Sequence, residues 1–310
     1  MTLCGFEIAP GEKQQVKLPV PGGAPLEAWL LCGAHPGKTL VVTAGVHGCE
    51  YVGILALQKL VETLDCATLY GQVILLPLVN SKGFFAGVKQ LNPADSKNLN
   101  REFPGKADGT ETQRMAWTIE KLLYPEADFL LDLPGGDWNE ELAPLVFFPC
   151  GAGQKLEQET RRAAQALSVS MRVCSTARNG LYSWAAQKGI PALLLERGGN
   201  GRWTSEEVNA DCEDVLRLMN HLGIRKKEFD AVPQTEIAKA VYEEAPADGY
   251  WFPEVCAGQE VLKDALLGRW KSSDGTQSCE VRAKFAGRVL YETAALGVRR
   301  NDPLVAYGTA

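Results

Sequence analysis

Short apolar runs alternate with amphipathic stretches along the chain from about residue 38 to residue 221. The runs lack polar alternation and are bounded by Gly, Pro or polar residues, which is typical of strands buried on both faces. The stretches between them repeat apolar residues at helical spacing. This order predicts an α/β fold with a mixed, mainly parallel sheet flanked by helices. The predicted strands are 39–44, 73–79, 128–133, 145–148 and 192–195, and the predicted helices lie near 50–64, 111–123, 155–167, 180–188 and 205–221, the last capped by Ser205.

The pattern changes after His221, where Pro, Gly and short alternating runs replace the helical spacing. We therefore divide the chain into an α/β domain, residues 1–230, and a small all-β module of the sandwich or barrel type, residues 231–310. The module either packs against the first domain and narrows its cleft or associates through exposed strand edges into a homo-oligomer. Its predicted strands include 238–242, 281–285, 288–291 and 304–306.

Composition narrows the classes of partner. The chain has 310 residues, 45% hydrophobic and 23% charged, which predicts a folded globular protein rather than a disordered one. A net charge of −6 argues against nucleic acid and anionic membranes as partners, so a small molecule fits better. The first residues do not form a secretory leader and no apolar run is long enough to span a bilayer, which favours a cytoplasmic location. Nine scattered cysteines without a C-x-x-C pair indicate reduced, mostly buried thiols rather than a disulfide framework or a structural zinc site.

The segment TAGVHGCE, residues 43–50, places a histidine and a glutamate three residues apart where a buried strand ends and a helix begins. Ligands of open α/β sheets collect at that edge. The imidazole of His47 and the carboxylate of Glu50 can converge there on one cation, because Gly45 and Gly48 allow the backbone to bend. An H-x-x-E pair alone is a weak signal, since such pairs are more often structural.

A polar loop, NPADSKNLNREFPG at residues 92–105, is too elaborate for a simple connection. Its Asn100 and Arg101 are suited to clamp a substrate carboxylate or to polarise a scissile carbonyl, because a guanidinium binds a carboxylate through two hydrogen bonds. The alternative is an Asx-rich turn in which Arg101 forms a structural ion pair.

A third segment, PALLLERGGNGRW at residues 191–203, places Glu196 at the end of a buried strand before a Gly-rich turn. A carboxylate in that position can act as general base on a metal-bound water. The alternative is a strand-end glutamate that pairs with Arg197 or Arg202.

With these three segments in this order, the chain resembles the succinylglutamate desuccinylase/aspartoacylase family, relatives of the zinc carboxypeptidases. The family's H-G-x-x-E motif, N-L-N-R loop and strand-end glutamate are matched by HGCE at 47–50, NLNR at 98–101 and Glu196. The likeness extends through GLYSWAAQKGIPALLLERGGNGRW and the C-terminal VRAKFAGRVLYETAALGVRRNDPLVAYG to most of the chain. It implies a zinc-carboxypeptidase-like fold and hydrolysis of an amide in a small N-acyl amino acid or similar carboxylate.

The resemblance also implies a role for each of these side chains. His47 and Glu50 would be zinc ligands, and Glu196 would be the general base that activates the attacking water. Arg101, with Asn100, would bind substrate and help to stabilise the oxyanion. These roles agree with the needs of zinc catalysis, which are few protein ligands, an open position for water and a nearby base.

One position departs from the family's pattern. The family's third zinc ligand is a histidine after an Asp-Leu or similar pair at the next strand end, and here that position is Pro134, which has no donor atom. Asp132 or Asp137 could supply an oxygen instead, although structural roles are the simpler interpretation. The other histidines do not replace it, because His35 is expected in a turn at the opposite sheet edge and His221 at a helix C-terminus.

Pro134 leaves three outcomes open: a weak or altered metal site, a compensating carboxylate, or a site that has lost hydrolysis and only binds. The leading function is a zinc-dependent deacylase that acts through metal-activated water, with a carboxypeptidase-like reaction on short peptides as the closest enzymatic rival. The competing class is a non-catalytic or weakly metal-binding homologue that binds a small carboxylate ligand. Retention of four residues favours the enzyme, whereas Pro134 favours the binder. The retained residues are His47, Glu50, Arg101 and Glu196.

Overall fold

The computed structural model describes residues 1–227 and 229–310. A nine-stranded sheet forms its centre and helices cover both faces, because strands without a polar side need apolar cover on each face. Two smaller sheets hold most of the C-terminal strands. This architecture confirms the predicted α/β class with additional all-β strands. Within the described residues, none of the helices has the length and apolar character that a bilayer crossing needs.

The helices and strands follow one another largely as the hydrophobic pattern predicts. The helices are α1 (Tyr51–Thr63), α2 (Ser81–Ala86), α3 (Glu111–Thr118), α4 (Gln154–Gln165), α5 (Leu181–Gln187) and α6 (Ser205–His221), and a π-helical turn, Ile119–Leu123, extends α3. The strands up to α6 are β1 (Thr2–Leu3), β2 (Phe6–Glu7), β3 (Lys13–Leu18), β4 (Leu26–Cys32), β5 (His35–Ala44), β6 (Tyr70–Leu76), β7 (Phe129–Leu133), β8 (Glu140–Leu142), β9 (Leu145–Pro149), β10 (Met171–Ser175) and β11 (Ala192–Glu196). The strands after α6 are β12 (Thr235–Ile237), β13 (Lys239–Glu244), β14 (Gly249–Pro253), β15 (Glu260–Val261), β16 (Leu266–Ser272), β17 (Ser278–Arg282), β18 (Gly287–Thr293), β19 (Gly297–Val298) and β20 (Pro303–Thr309).

The nine-stranded sheet has the order β12-β10-β9-β11-β7-β5-β6-β4-β3. Its centre, β11-β7-β5-β6, is parallel, and so is the group β12-β10-β9. Strand β9 runs antiparallel to β11, and β4 runs antiparallel to both β6 and β3, so the sheet is mixed and mainly parallel, as predicted. Because β11, β7 and β5 are parallel neighbours, their carboxyl ends lie side by side at one edge of the sheet.

Two buried apolar clusters hold the helices against the sheet. One contains side chains of α1, α4 and α6, and the other contains side chains of α3 and α5. Leu130 and Leu131, consecutive residues of β7, belong to different clusters, as the alternation of side chains along a strand requires. Both faces of the central strands are therefore buried, which explains why the strands appear in the sequence as continuous apolar runs.

The C-terminal strands form a five-stranded sheet, which includes β8, and a four-stranded sheet. An apolar cluster around Trp251, Trp270 and Tyr307 contains side chains of both sheets. Two pairings join these strands to the α/β part: β8 pairs with β18, and β12 adds to the edge of the large sheet beside β10. Backbone hydrogen bonds thus connect the two parts of the chain, and the division at residue 230 stays a prediction.

The structure differs from the sequence-based expectations at several elements. The pattern does not predict α2 and, among the strands of three or more residues, it does not predict β3, β4, β8, β10, β12, β14 and β16. Thr204, not Ser205, caps α6, because its hydroxyl oxygen accepts the Glu207 N–H at 3.2 Å while the Glu207 carboxylate accepts the Thr204 N–H at 2.9 Å. The expectation that His35 lies in a turn is wrong, since His35 is the first residue of β5 and stacks on Tyr70. His35 nevertheless lies far from the candidate site, because the site is at the carboxyl end of β5 and His35 is at its amino end.

The expectation of reduced thiols without a disulfide is wrong for one pair. Cys150 and Cys174 form a disulfide at the ends of the neighbouring strands β9 and β10. The two positions are separated by 24 residues and meet only because these strands pair, so their spacing carries no signal. Among the other cysteines, Cys256 and Cys279 are exposed and the rest are buried.

Candidate active site

A tight turn carries His47 and Glu50 from the end of β5 to the start of α1. Gly45 has φ +64°, a left-handed conformation that favours glycine. Gly48 has a different role from the one predicted, because a Cβ there would collide with the backbone of Gly83 and Phe84. Close packing of this turn against α2 therefore places the imidazole and the carboxylate at the carboxyl end of β5.

His47 and Glu50 are buried and contact each other directly. His47 Nδ1 lies 2.6 Å from Glu50 Oε1, and His47 Nε2 lies 3.0 Å from Asn98 Oδ1. The backbone N–H of Asn100 also donates to Asn98 Oδ1, which identifies that atom as the amide oxygen. Both ring nitrogens thus face acceptors, so the imidazole donates from both as a cation. Burial works against this charge, but the charge and hydrogen bond of Glu50 outweigh burial and raise the pKa of His47 to about 9.

The polar loop reaches the site through Asn100 and Arg101. Asn100 is buried, and its Oδ1 accepts the backbone N–H of Leu181 at the start of α5 at 3.0 Å. Arg101 is exposed, and its guanidinium donates to the carbonyl oxygen of Asn100 at 2.9 Å. In the described residues Arg101 forms no ion pair with a carboxylate, so the alternative of a structural ion pair is not observed. Its remaining donors are available to a ligand.

Glu196, the last residue of β11, has no structural partner among the described residues. Arg197 turns away from it and donates to Asp211 at 2.8 Å and to Asp214 at 2.5 Å, both on α6 and both fully buried. The alternative in which Arg197 neutralises Glu196 is therefore wrong. Burial and the charges of Glu50 and Glu140 raise the pKa of Glu196 to about 8. A carboxylate in this environment is a stronger base than one in water.

One cavity of about 390 Å³ brings the predicted site residues together at the carboxyl edge of the central strands. Ligand sites of open α/β sheets occupy this position because the loops after parallel strands converge there. Four of the residues lie at or just after the ends of the adjacent strands β5, β7 and β11, and the loop before α3 supplies the other two. The predicted residues that line the cavity are His47, Glu50, Asn100, Arg101, Pro134 and Glu196.

Two side chains of the site, His47 and Glu50, could ligate a divalent cation, but a third ligand is not in place in the described part of the chain. Glu50 Oε2 is buried without a hydrogen-bond partner, and a cation could replace the proton between Glu50 and the imidazole. Pro134 lines the cavity but offers no donor atom. Within the described ranges, no third His, Cys, Asp or Glu atom lies close enough to His47 and Glu50 to share an ion with them. The one group of three potential ligands that the described residues bring together is Cys150, Glu157 and Cys174, and its two sulfurs form the disulfide.

Asp132 and Asp137, the oxygen donors considered in place of histidine, are both held by other groups. Asp132 is fully buried, and its Oδ1 accepts the Thr43 hydroxyl at 2.6 Å while its Oδ2 has no partner in the described residues. Burial raises the pKa of Asp132 to about 6. Asp137 lines the cavity, and its oxygens accept from Cys49 and Gln90. The structure therefore places neither carboxylate in a three-ligand arrangement with His47 and Glu50.

The cavity also contains side chains that the sequence does not single out. Glu140 of β8 lines it, together with Tyr182, Tyr242 and Tyr291. Tyr242 and Tyr291 lie on β13 and β18, and their ring centroids are 6.1 Å apart. Glu140 and Tyr291 come together because β8 pairs with β18, a contact between segments about 150 residues apart that local spacing does not encode.

Comparison with known proteins identifies a matching family model and a deacetylase relative. The sequence model described as the succinylglutamate desuccinylase/aspartoacylase catalytic domain matches residues 36–222. The chain is 29% identical over 278 residues to the N-alpha-acetyl-L-2,4-diaminobutyric acid deacetylase of Halomonas elongata, covering 86% of this chain and 81% of that protein.

Two solved structures share the fold over nearly the whole chain. The succinylglutamate desuccinylase/aspartoacylase of Rhodobacter sphaeroides has a TM-score of 0.87 at 24% identity, with 98% of both chains covered. The product-bound ectoine utilization protein EutE (DoeB) of Ruegeria pomeroyi has a TM-score of 0.85 at 24% identity, with 96% of this chain and 94% of that chain covered. The C-terminal strands are therefore part of the shared fold.

Proposed function

Because the chain belongs to the succinylglutamate desuccinylase/aspartoacylase family, we propose that it is a deacylase that hydrolyses the amide bond of a small N-acyl amino acid. The observation that carries the proposal is the unpaired carboxylate of Glu196, which faces the same cavity as Arg101 and the His47–Glu50 pair. The Halomonas relative removes an acetyl group from a small amino acid. N-acetyl amino acids are therefore the first substrates to test.

In the proposed reaction, Glu196 accepts a proton from the attacking water while the water oxygen forms a bond to the amide carbon. The C–N bond then breaks, and the proton passes from Glu196 to the leaving amine. Arg101 binds the substrate carboxylate and, with Asn100, orients the carbonyl toward the water. Burial of the cavity floor strengthens each of these polar interactions.

A zinc ion held by His47 and Glu50 would polarise the carbonyl and lower the pKa of the water. With two protein ligands instead of the usual three, we propose that zinc binds weakly here. We further propose that residues 1–230 form the catalytic domain and that the C-terminal module narrows the cleft, because Tyr242 and Tyr291 line it.

A second candidate function rests on Pro134. A chain that lacks the third donor could keep the pocket and bind a small carboxylate without hydrolysing it. Assays of N-acetyl amino acid cleavage with and without added zinc separate the two functions. Zinc-stimulated release of the free amino acid supports the enzyme, whereas substrate binding without turnover at saturating zinc supports the binder.

Replacing Pro134 by His is expected to tighten zinc binding by at least about 100-fold, because a third protein ligand affects the metal more directly than the outer contacts that are themselves worth 10- to 100-fold. Elemental analysis after dialysis should find about one zinc per chain in Pro134→His and less in the unmodified protein. Pro134→Ala is the matched control, since it removes the ring without adding a donor. Full zinc occupancy in all three proteins would refute the proposal that the missing donor weakens the site.

Replacing Arg101 by Ala is expected to lower kcat/KM for N-acetyl amino acids by about 10- to 100-fold, mainly through KM, because a charge-assisted contact to the substrate carboxylate is lost. The zinc content should not change. Lys106→Ala, an exposed basic residue of the same region, is the control. For a substrate whose carboxylate is replaced by a carboxamide, Arg101→Ala should lower kcat/KM only slightly. An equal loss of kcat/KM with both substrates would assign Arg101 a structural role.

A further inference from the structure

The cavity wall is strongly acidic. Four carboxylates line the cavity. Among the described residues, Arg101 is the one Lys or Arg side chain that lines it. His47 also lines it, but its imidazole already contacts Glu50. Asp137 and Glu140 lie on the side formed by the segment after β7, and Glu50 and Glu196 lie at the strand ends. Because like charges in a shared cavity repel, this wall disfavours a substrate whose side chain carries another carboxylate.

Glu140 is the carboxylate best placed to contact the substrate. Alternation along β8 directs Glu140 and Leu142 into the cavity and leaves Glu141 exposed. Glu140 Oε1 lies 3.6 Å from the ammonium of Lys89, which also lies 3.6 Å from Asp137 Oδ2. Lys89 is 41% exposed, so this contact is long and solvated. The geometry around Glu140 is therefore that of an ammonium site which a solvent-exposed lysine satisfies only weakly.

The rest of the cavity wall also favours a cationic ligand. The rings of Tyr242 and Tyr291 line the same cavity, and Leu142, the neighbour of Glu140 on the cavity side of β8, pairs with Tyr291. Aromatic rings beside a carboxylate favour an ammonium group, because the ring face attracts a cation.

We infer that the substrate is an N-acyl amino acid whose side chain ends in an ammonium group, and that Glu140 determines this specificity. The inference rests on the proposed deacylase function. Arg101 binds the α-carboxylate, and Glu140 with the two tyrosines binds the side-chain ammonium. A substrate of this kind matches the charges on both sides of the cavity.

Three N-acetyl amino acids of similar size but different side-chain charge test this specificity. They are the Nα-acetyl derivatives of 2,4-diaminobutyrate, norvaline and aspartate, which carry an ammonium, a methyl and a carboxylate. We expect kcat/KM for the cationic compound to exceed that for the neutral one by about 10- to 100-fold, as a charge-assisted hydrogen bond allows, and the anionic compound to be the poorest. Equal values for the cationic and neutral compounds would overturn the inference and leave the deacylase function intact.

Two substitutions assign the preference to Glu140. Glu140→Gln should bring the cationic-to-neutral ratio of kcat/KM close to one, and Lys89→Met should raise it, because a competing ammonium is removed. Glu141→Gln, the exposed neighbour on the same strand, should leave the ratio unchanged. A ratio that neither Glu140→Gln nor Lys89→Met alters would refute the role of Glu140.

Binding of the free products distinguishes this inference from the deacylase proposal. If none of the three N-acetyl compounds is cleaved, the proposed function fails. Calorimetric titration with 2,4-diaminobutyrate and norvaline still measures the specificity, since tighter binding of 2,4-diaminobutyrate that Glu140→Gln abolishes supports the ammonium site. Equal binding of the two amino acids would reject it.

Discussion

Replacing Glu196 by Gln is expected to lower kcat for N-acetyl amino acid hydrolysis by about 10²- to 10⁴-fold, the usual contribution of a general base. Gln keeps the size and hydrogen-bonding shape of the side chain but cannot accept the proton of the attacking water. Since Glu196 forms no ion pair with any described residue, the substitution breaks no structural contact. Steady-state kinetics with and without added zinc measures the loss, and circular dichroism should find the same thermal unfolding midpoint.

The control for this experiment is Glu62→Gln, a substitution of the same chemistry at an exposed position of α1. It should keep the unmodified kcat. If Glu196→Gln turns over substrate as fast as the unmodified protein, Glu196 is not the base and the mechanism fails. A KM that rises while kcat stays constant would likewise contradict the proposal, because it would make Glu196 a binding group.

Replacing Arg197 by Met is expected to destabilise the protein by about 3–5 kcal/mol, the typical cost of removing one partner of a buried ion pair. Asp211 and Asp214 are fully buried on α6 and depend on Arg197 for their opposite charge. This contact ties α6 to the turn after β11, so it also positions the strand end that carries Glu196. Urea unfolding followed by fluorescence measures the change in the free energy of unfolding.

Arg202→Met, in the same turn but exposed, is the matched control and should change stability by less than about 0.5 kcal/mol. Combining Arg197→Met with Asp211→Asn and Asp214→Asn should recover most of the lost free energy of unfolding, because no unpaired charge is then buried. An Arg197→Met protein as stable as the control would mean that the buried pair contributes nothing to the fold. Recovery of activity by the triple substitution would indicate that Arg197 acts on catalysis only through the strand end.

Local patterns predict the central elements of the fold well, for a physical reason. Strands such as β7 and β11 are buried on both faces, so their apolar character needs no knowledge of their neighbours. Helices such as α6 repeat apolar residues at the spacing of the face that packs on the sheet. Strand β14 lies in a smaller sheet and exposes the apolar side chains Tyr250 and Phe252, so its apolar residues do not mark a buried face.

The same contrast holds for the candidate site. The sequence by itself determined which chemical groups follow the central strands, because His47, Pro134 and Glu196 lie next to strand ends in linear order and parallel strands bring such ends together. It also revealed the missing donor, since a proline cannot ligate a metal in any conformation. Pairing of β8 with β18 alone brought Glu140 and Tyr291 into the cavity.

Tertiary structure likewise decided that Arg197 pairs with α6 instead of Glu196, and that Cys150 meets Cys174. A residue's partner across the chain depends on which strands and helices pack together, and spacing along the chain carries no record of that. The sequence therefore determined the identity of the reacting groups. The fold decided the charge of the cavity wall that faces the substrate, because the carboxylates and rings of that wall come from segments that only the folded chain brings into contact.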